Sequence, residues 1–146
     1  MSIYPHIVRP LLFALEAETA HNVALAGLKR NLVPTGPLTS SDNLKTNILG
    51  MEFSNPVGLA AGFDKDAVAL PNLSRLGFGF LEAGTVTPKP QSGNPRPRMF
   101  RLSGDTAIIN RLGFNNGGLE NYSRNFEEAK KSIHPCPLGA NIGKNK

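Results

Sequence analysis

A lysine follows a run of small residues at the end of a short apolar stretch. Residues 60–65 have the sequence AAGFDK. Small side chains allow the backbone to approach a flat ligand, and the Lys65 ammonium could neutralise a developing negative charge or bind a carboxylate. A surface lysine on a turn is also compatible with this sequence. The neighbouring carboxylates, Asp64 and Asp66, are better suited to capping the next helix than to catalysis.

A second segment is rich in side-chain amides. Residues 110–116, NRLGFNN, contain three asparagines, an arginine and a glycine. An asparagine side chain offers a donor and an acceptor together, which suits recognition of a ring imide or amide edge. A structural loop built from Asx turns has the same composition. Both interpretations remain open at the level of the sequence.

Composition excludes several other classes of function. The chain has 16 Lys and Arg against 11 Asp and Glu, and 40% of its residues are hydrophobic, as in soluble globular domains. Its most basic stretch, 89–111, is interrupted by Pro and Gly and lacks helix-turn-helix or zinc-finger spacing. We therefore expect no nucleic acid partner and interpret this stretch as a solvated loop or a small-anion site.

The sequence also predicts no metal centre. Its single cysteine, Cys136, excludes an intrachain disulfide and a multi-cysteine metal site. Its three histidines, His6, His21 and His134, are scattered, and we expect them to be surface or helix-terminal residues.

Two short amphipathic helices are predicted before residue 33, over 5–15 with a bend at Pro10 and over 18–32. Residues 33–44 are rich in Pro, Gly, Ser and Thr and are interpreted as a linker. No apolar run near the start approaches the roughly 20 residues that span a bilayer, and we expect no signal peptide. The helix pair is either a cap on the following domain or a membrane-surface or lipid-binding element.

From residue 46 onward the pattern predicts strands alternating with loops and helices. A hairpin is predicted over 47–53, with its turn at Gly50. Three short apolar strands are then each followed by a Gly-rich or polar loop, and two of them by a helix. These strands are 57–60, 78–83 and 137–140, and the helices end near Leu76 and span 118–132. Such βαβ units form parallel sheets, whose functional groups gather at the carboxyl ends of the strands.

The connection 88–116 is long for a loop between a strand and a helix, which is typical of a binding or lid segment. Within it, 100–102 and 107–109 could pair as a second hairpin around Gly104.

Four strings together resemble the membrane-associated, quinone-dependent class of dihydroorotate dehydrogenase. They are NPVGLAAGFDKD at 55–66, GTVTPKPQ at 84–91, NRLGFNN at 110–116 and NIGKN at 141–145. The resemblance covers nearly the whole chain in the order and spacing of the family. The predicted helix pair indicates the quinone-dependent class, because the soluble class resembles it in the barrel but lacks this extension.

The resemblance implies an α/β fold, namely an N-terminal two-helix extension followed by the first part of a (β/α)₈ TIM barrel. Residues 1–45 would form the extension and linker, and 46–146 the first strands and helices of the barrel. A complete barrel needs roughly 250 residues, so we expect this chain to be the N-terminal portion of the enzyme, with an incomplete barrel.

The same resemblance implies FMN as cofactor at the carboxyl ends of the strands, and oxidation of dihydroorotate to orotate in pyrimidine biosynthesis. The implied FMN contacts are Ala61, Gly62, Phe63, Asp64, Lys65, Thr85 and Asn141. The implied substrate contacts are Lys65, Asn110, Arg111, Leu112, Gly113 and Phe114, with Asn115 as a neighbour. Membrane quinone would accept the electrons through an apolar tunnel formed by the helix pair, at the cytoplasmic side of a bacterial inner membrane.

In this class the base is a serine in a Ser-Ser-Pro-Asn-Thr segment, which we expect beyond Lys146. We therefore assign no catalytic residue within the chain, and expect the 146 residues alone to be poorly folded and inactive. The alternative is a truncated membrane- or lipid-binding module without catalytic activity.

Overall fold

The computed structural model describes residues 3–34 and 41–146 of the chain. These residues form a mixed α/β structure. Its centre is a three-stranded parallel sheet with a helix pair at the N-terminus. Most of the predicted linker 33–44 lies outside the described residues.

The N-terminal helices begin with a π-helical turn, Tyr4–Val8, which continues into α1, Arg9–Ala14. Pro10 lies in the first turn of α1, where the π-helical turn passes into the α-helix with helical backbone angles at Val8 and Arg9. Helix α2 spans Ala17–Lys29, three residues shorter at its end than predicted, because the chain turns to a positive φ at Asn31. Neither this helix nor any other in the described ranges is long and apolar enough to cross a bilayer.

The predicted first hairpin is confirmed. Strands β1, Thr46–Ile48, and β2, Met51–Phe53, pair antiparallel around a turn at Leu49 and Gly50. Both turn residues have positive φ, which glycine adopts without steric cost.

The remaining elements follow in the predicted order, with shifted bounds. They are β3 Gly58–Leu59, α3 Leu70–Leu73, β4 Phe80–Val86, β5 Met99–Leu102, β6 Ala107–Asn110, α4 Gly118–Lys130 and β7 Leu138–Ile142. Strands β3, β4 and β7 form the parallel sheet in that order, with β4 in the centre. Strands β5 and β6 form the predicted second hairpin. The strand predicted at 57–60 is thus only two residues long, and the predicted strands at 78–83 and 137–140 lie about two residues too early.

The core lies between the sheet and the helices. Leu81 and Ala83 of β4 are buried together with Leu70 and Leu73 of α3 and with residues of α4. Leu28 of α2 belongs to the same cluster, so the N-terminal helices share apolar burial with the sheet.

Candidate active site at the carboxyl edge of the parallel sheet

The loop after β3 is fastened to the central strand by two backbone hydrogen bonds. The Gly62 N–H donates to the Gly84 carbonyl at 2.7 Å, and the Gly84 N–H donates to the Asp64 carbonyl at 3.0 Å. This places the Gly-rich segment 60–65 beside the end of β4. As predicted, this loop therefore lies at the carboxyl edge of the sheet.

Lys65 lies at this edge, half-buried. Its Nζ donates a 2.6 Å hydrogen bond to the carbonyl of Gly62, and its other two N–H groups have no protein acceptor within the described ranges. Burial lowers the pKa of Lys65, and Glu18 opposes that effect. Lys65 is therefore not a fully exposed surface lysine, because its side chain is half-buried and its ammonium is anchored to the loop backbone.

Asp64 is buried and caps the turn that leads into α3. Its Oδ1 accepts from the Val68 N–H at 2.9 Å, and its Oδ2 accepts from the Ala69 N–H at 2.7 Å. Burial raises the pKa of this carboxyl. The prediction that Asp64 and Asp66 cap the next helix is therefore correct only in part. Asp64 binds the turn before α3, whose first residue has no side-chain cap, and Asp66 accepts from the Gly117 N–H before α4 at 2.7 Å. Both carboxylate oxygens of Asp64 are already engaged within the protein.

Thr85 and Asn141 meet across the ends of β4 and β7. The Thr85 hydroxyl donates to Asn141 Oδ1 at 2.5 Å, and Asn141 Nδ2 donates to Glu82 at 2.8 Å. Gly84 permits this approach, because it has a φ of 120° and an added Cβ would lie 2.4 Å from the Asn141 carbonyl oxygen. Three side chains from two strands thus form one oriented polar row.

The amide-rich segment 110–116 contains one asparagine that supports the loop by hydrogen bonds and other residues that are exposed to solvent. Asn116 is buried, and its side chain hydrogen-bonds to Thr87 and to backbone groups of Phe114 and Gly118, as the structural-loop interpretation requires. By contrast, Asn110 and Phe114 are exposed.

The other predicted substrate residues are held by the loop before β5. The Arg111 guanidinium donates to the Pro97 carbonyl at 3.2 Å, and Gln91 donates to the Gly113 carbonyl at 3.1 Å. The carbonyl of Leu112 accepts from the Asn94 N–H at 3.0 Å. The conformation of the segment therefore depends on residues 91–98.

A small polar cavity of about 90 Å³ joins the two predicted segments. Lys65 and Phe63 line it from one side, Leu112 and Asn115 from the other, and the residues of α2 close it. Asn115 Oδ1 is buried there without a hydrogen-bond partner in the described structure. Asn110, Thr85 and Asn141 do not line this cavity.

Helix α2 contributes His21, which the sequence indicated to be a surface or helix-terminal residue. That expectation is wrong. The imidazole is partly buried, packs edge-on against Phe63 with ring centroids 5.0 Å apart, and lines the cavity. Burial, and then the charge of Lys65, lower the pKa of His21.

An ion pair that the sequence did not indicate lies next to this cavity. Arg98 contacts Glu18 of α2 through Nη2 at 2.6 Å and Nε at 3.0 Å, and both side chains are buried. The expectation of a solvated loop or a small-anion site over 89–111 is therefore wrong at Arg98, whose guanidinium is buried against a carboxylate of the protein itself. No group of three metal-ligating side chains is present in the part of the chain that the structure describes.

Comparisons with known proteins identify the family of the chain. The sequence profile described as dihydroorotate dehydrogenase matches residues 43–146. A relative from Azorhizobium caulinodans named dihydroorotate dehydrogenase (quinone) is 49% identical over 146 residues, covering 100% of this chain and 41% of the relative. A relative of the same name from Rhodopseudomonas palustris is 54% identical over 137 residues, covering 94% of this chain and 37% of the relative.

Solved structures of DHODH are similar to this chain in fold and in sequence. The crystal structure of ligand-free DHODH from Eimeria tenella matches with a TM-score of 0.83 and 46% identity, over 88% of this chain and 37% of that one. The complex of the Eimeria tenella protein with ferulenol matches with a TM-score of 0.82 and 46% identity, over 88% of this chain and 36% of that one. The chain thus spans about two fifths of the length of these proteins. With its profile match and these relatives, the chain belongs to the dihydroorotate dehydrogenase family.

Proposed function

We propose that this chain supplies the first part of an FMN-dependent enzyme that oxidises dihydroorotate to orotate, with quinone as electron acceptor, in pyrimidine biosynthesis. The names of the relatives support the reaction. The observation that carries the proposal is the position of Gly62. Its N–H binds the Gly84 carbonyl at the strand end that carries the Thr85–Asn141 pair, and its carbonyl holds the Lys65 ammonium.

The residues at this edge fit a flat cofactor. Gly62 has a φ of 109°, and an added Cβ there would have no atom within 4 Å, so open space borders the backbone. Ala61, Phe63 and Lys65 surround this glycine in the sequence, and Thr85 and Asn141 offer a hydroxyl and an amide nearby. We assign the binding of FMN to these residues, with Asp64 holding the loop rather than contributing its carboxylate.

Bound FMN supplies a two-electron acceptor for the hydride that leaves dihydroorotate. Lys65 would provide a positive charge for the cofactor and the substrate carboxylate, from a half-buried side chain whose ammonium is anchored to the Gly62 carbonyl. Asn110, Arg111, Leu112, Gly113 and Phe114 would bind the substrate ring, and we assign the base to a serine beyond Lys146.

The proposed function also implies a barrel domain and an N-terminal extension. Residues 46–146 would form the first part of a (β/α)₈ barrel, because β3, β4 and β7 are parallel neighbours with helices on one side. Residues 1–45 would form the extension that guides quinone from the membrane surface. Exposed apolar residues on the first helices support this role, among them Ile7, Leu11 and Phe13. The location at the cytoplasmic side of a bacterial inner membrane belongs to the same proposal.

The test uses a completed enzyme, in which residues 1–146 are joined to the downstream region of the Azorhizobium caulinodans relative. We expect a yellow protein with one FMN per chain and dihydroorotate-dependent quinone reduction. A colourless protein that still binds liposomes would favour the membrane- or lipid-binding module instead. A flavoprotein that oxidises another substrate but not dihydroorotate would contradict the proposed reaction.

A further inference from the structure

The ion pair between Glu18 and Arg98 joins two segments that are distant in the sequence. Glu18 lies in the first turn of α2 and is 4% exposed, and Arg98, before β5, is 5% exposed. Arg98 contacts both carboxylate oxygens of Glu18, at 2.6 and 3.0 Å. Bidentate pairs of this kind fix the relative orientation of the two groups as well as their distance.

The rest of the Arg98 guanidinium is directed at the loop that precedes the candidate substrate segment. Its Nη1 donates to the carbonyls of Ser92 at 2.6 Å and Asn94 at 3.0 Å, with a weaker contact to the Leu112 carbonyl at 3.5 Å. The Arg98 carbonyl in turn accepts from the Arg111 N–H at 2.8 Å. Arg98 therefore holds 111–112 from two directions.

Glu18 is the carboxylate that makes this arrangement possible. A buried guanidinium needs a negative partner, because an unpaired charge in a desolvated place is strongly unfavourable. Arg96, the second cation on Glu18 at 3.0 Å, is largely exposed and can turn into solvent. Loss of the Glu18 charge thus leaves Arg98 without compensation, and its movement toward water would withdraw support from the loop carbonyls.

We infer that Glu18 is a positioning residue that acts through Arg98 to set the conformation of the substrate-binding segment 110–114. The inference rests on the proposed function. It assigns to α2 a second task, because the helix proposed to border the quinone path also contacts, through Glu18 and Arg98, the loop that holds the substrate-binding segment. The affinity for substrate should therefore depend on the position of helix α2 in the N-terminal extension.

The experiment introduces Glu18→Gln in the completed enzyme. Gln keeps the size and one acceptor oxygen but removes the charge. We expect the KM for dihydroorotate and the Kd for orotate to rise about tenfold, a usual size for coupling between sites, while flavin content and the KM for quinone stay unchanged. Hydrogen–deuterium exchange, which needs no turnover, should rise in peptides that cover 110–114.

The matched control is Glu128→Gln, which removes a carboxylate from an exposed pair with Lys131 and should leave the orotate Kd unchanged. A double variant tests the route, since Glu18→Gln should add little to the orotate Kd once Arg98→Gln is present. Should Glu18→Gln fail to fold, Glu18→Asp keeps the charge but shortens the reach to Arg98, and it should raise the orotate Kd by a smaller factor; an unchanged orotate Kd in Glu18→Asp would contradict the positioning role.

Three further results would overturn the inference. The first is a normal orotate Kd in Glu18→Gln with a raised quinone KM, which would mean that the pair only anchors the extension. The second is an additive effect of the two substitutions. The third, an unsubstituted completed enzyme that binds FMN but no orotate, would overturn the proposed function together with the inference.

Discussion

The hydroxyl of Thr85 at the end of β4 donates a 2.5 Å hydrogen bond to the side-chain oxygen of Asn141 at the end of β7. Because the Asn141 amide nitrogen donates to Glu82, both polar atoms of this side chain are engaged and its orientation is determined by the protein. A side chain held in this way loses little further freedom when a ligand binds, which favours affinity.

We expect Thr85→Val to weaken FMN binding by about 1 kcal/mol, or roughly fivefold, the usual contribution of one hydrogen bond. Valine keeps the shape of threonine but removes one of the two hydrogen bonds that hold the Asn141 side chain. Fluorescence titration of the apo form of the completed enzyme with FMN measures the effect. Thr46→Val in the first hairpin is the control, and equal Kd values for both variants would contradict the role of the pair.

Replacement of Lys65 by Ala is expected to lower kcat/KM for dihydroorotate by about 100-fold, as for loss of one preorganised electrostatic contact. The reason is that its half-buried ammonium cannot be replaced by solvent as readily as an exposed one. Stopped-flow measurement of flavin reduction in the completed enzyme tests this. Lys89→Ala removes an exposed lysine as control. A rate for Lys65→Ala within a factor of about two of this control would show that Lys65 does not contribute to the reaction.

The double change Ile7→Ser with Leu11→Ser makes the first helices polar where the apolar side chains are 55% and 65% exposed. Since these side chains contribute little to the core, the fold should persist. We expect weaker binding to liposomes and a higher KM for a long-chain quinone, with an unchanged orotate Kd. Leu119→Ser on α4 is a matched exposed control. Unchanged liposome binding would argue against a membrane role of this surface.

Asp64→Ala is expected to lower the free energy of unfolding by about 2 kcal/mol, because it removes a buried cap and leaves two backbone N–H groups without acceptors. Asp64→Asn should cost less, since its amide oxygen still accepts one of these bonds. Denaturant unfolding of the completed enzyme gives the comparison, with the exposed Asp105→Ala as reference. Similar stabilities of the two alanine variants would show that the cap is dispensable.

The Glu18–Arg98 pair also predicts a pH dependence. The hydrogen bonds from Arg98 hold the pKa of Glu18 below its ordinary value of 4.5. A lowered folded-state pKa gives stability that is present above pH 4.5 and is lost as the pH falls through the folded-state value. The difference in Tm between unsubstituted protein and Glu18→Gln should therefore shrink as the pH falls from 7 to 3. A constant difference would mean that the Glu18 charge contributes nothing.

Local patterns were sufficient to predict the elements around the site. Apolar runs bounded by Gly and Pro predicted both hairpins and the three parallel strands, because strand formation and turns depend on near neighbours. Bounds moved by about two residues where tertiary contacts decided them, as at β4, which extends to Val86 by pairing with β7. The local role of Asp64 was predictable in part for the same reason, since the N–H groups that it binds lie four and five residues away. The partner of Asp66 lies 51 residues away, before α4, and was not predictable from the local sequence.

The sequence by itself determined the order of elements, the strings that resemble the family, and the residue types available at the strand ends. Only the tertiary structure decided which of them meet. Thr85 and Asn141 are 56 residues apart, and Glu18 and Arg98 are 80 apart. Sequence periodicity does not reveal such long-range pairs. They form only when α2, the sheet and the long loop pack together and exclude water from the charged groups. In the folded structure Arg98, which the sequence indicated to be solvated, is therefore buried and holds the loop. His21, which the sequence indicated to be a surface or helix-terminal residue, lines the cavity.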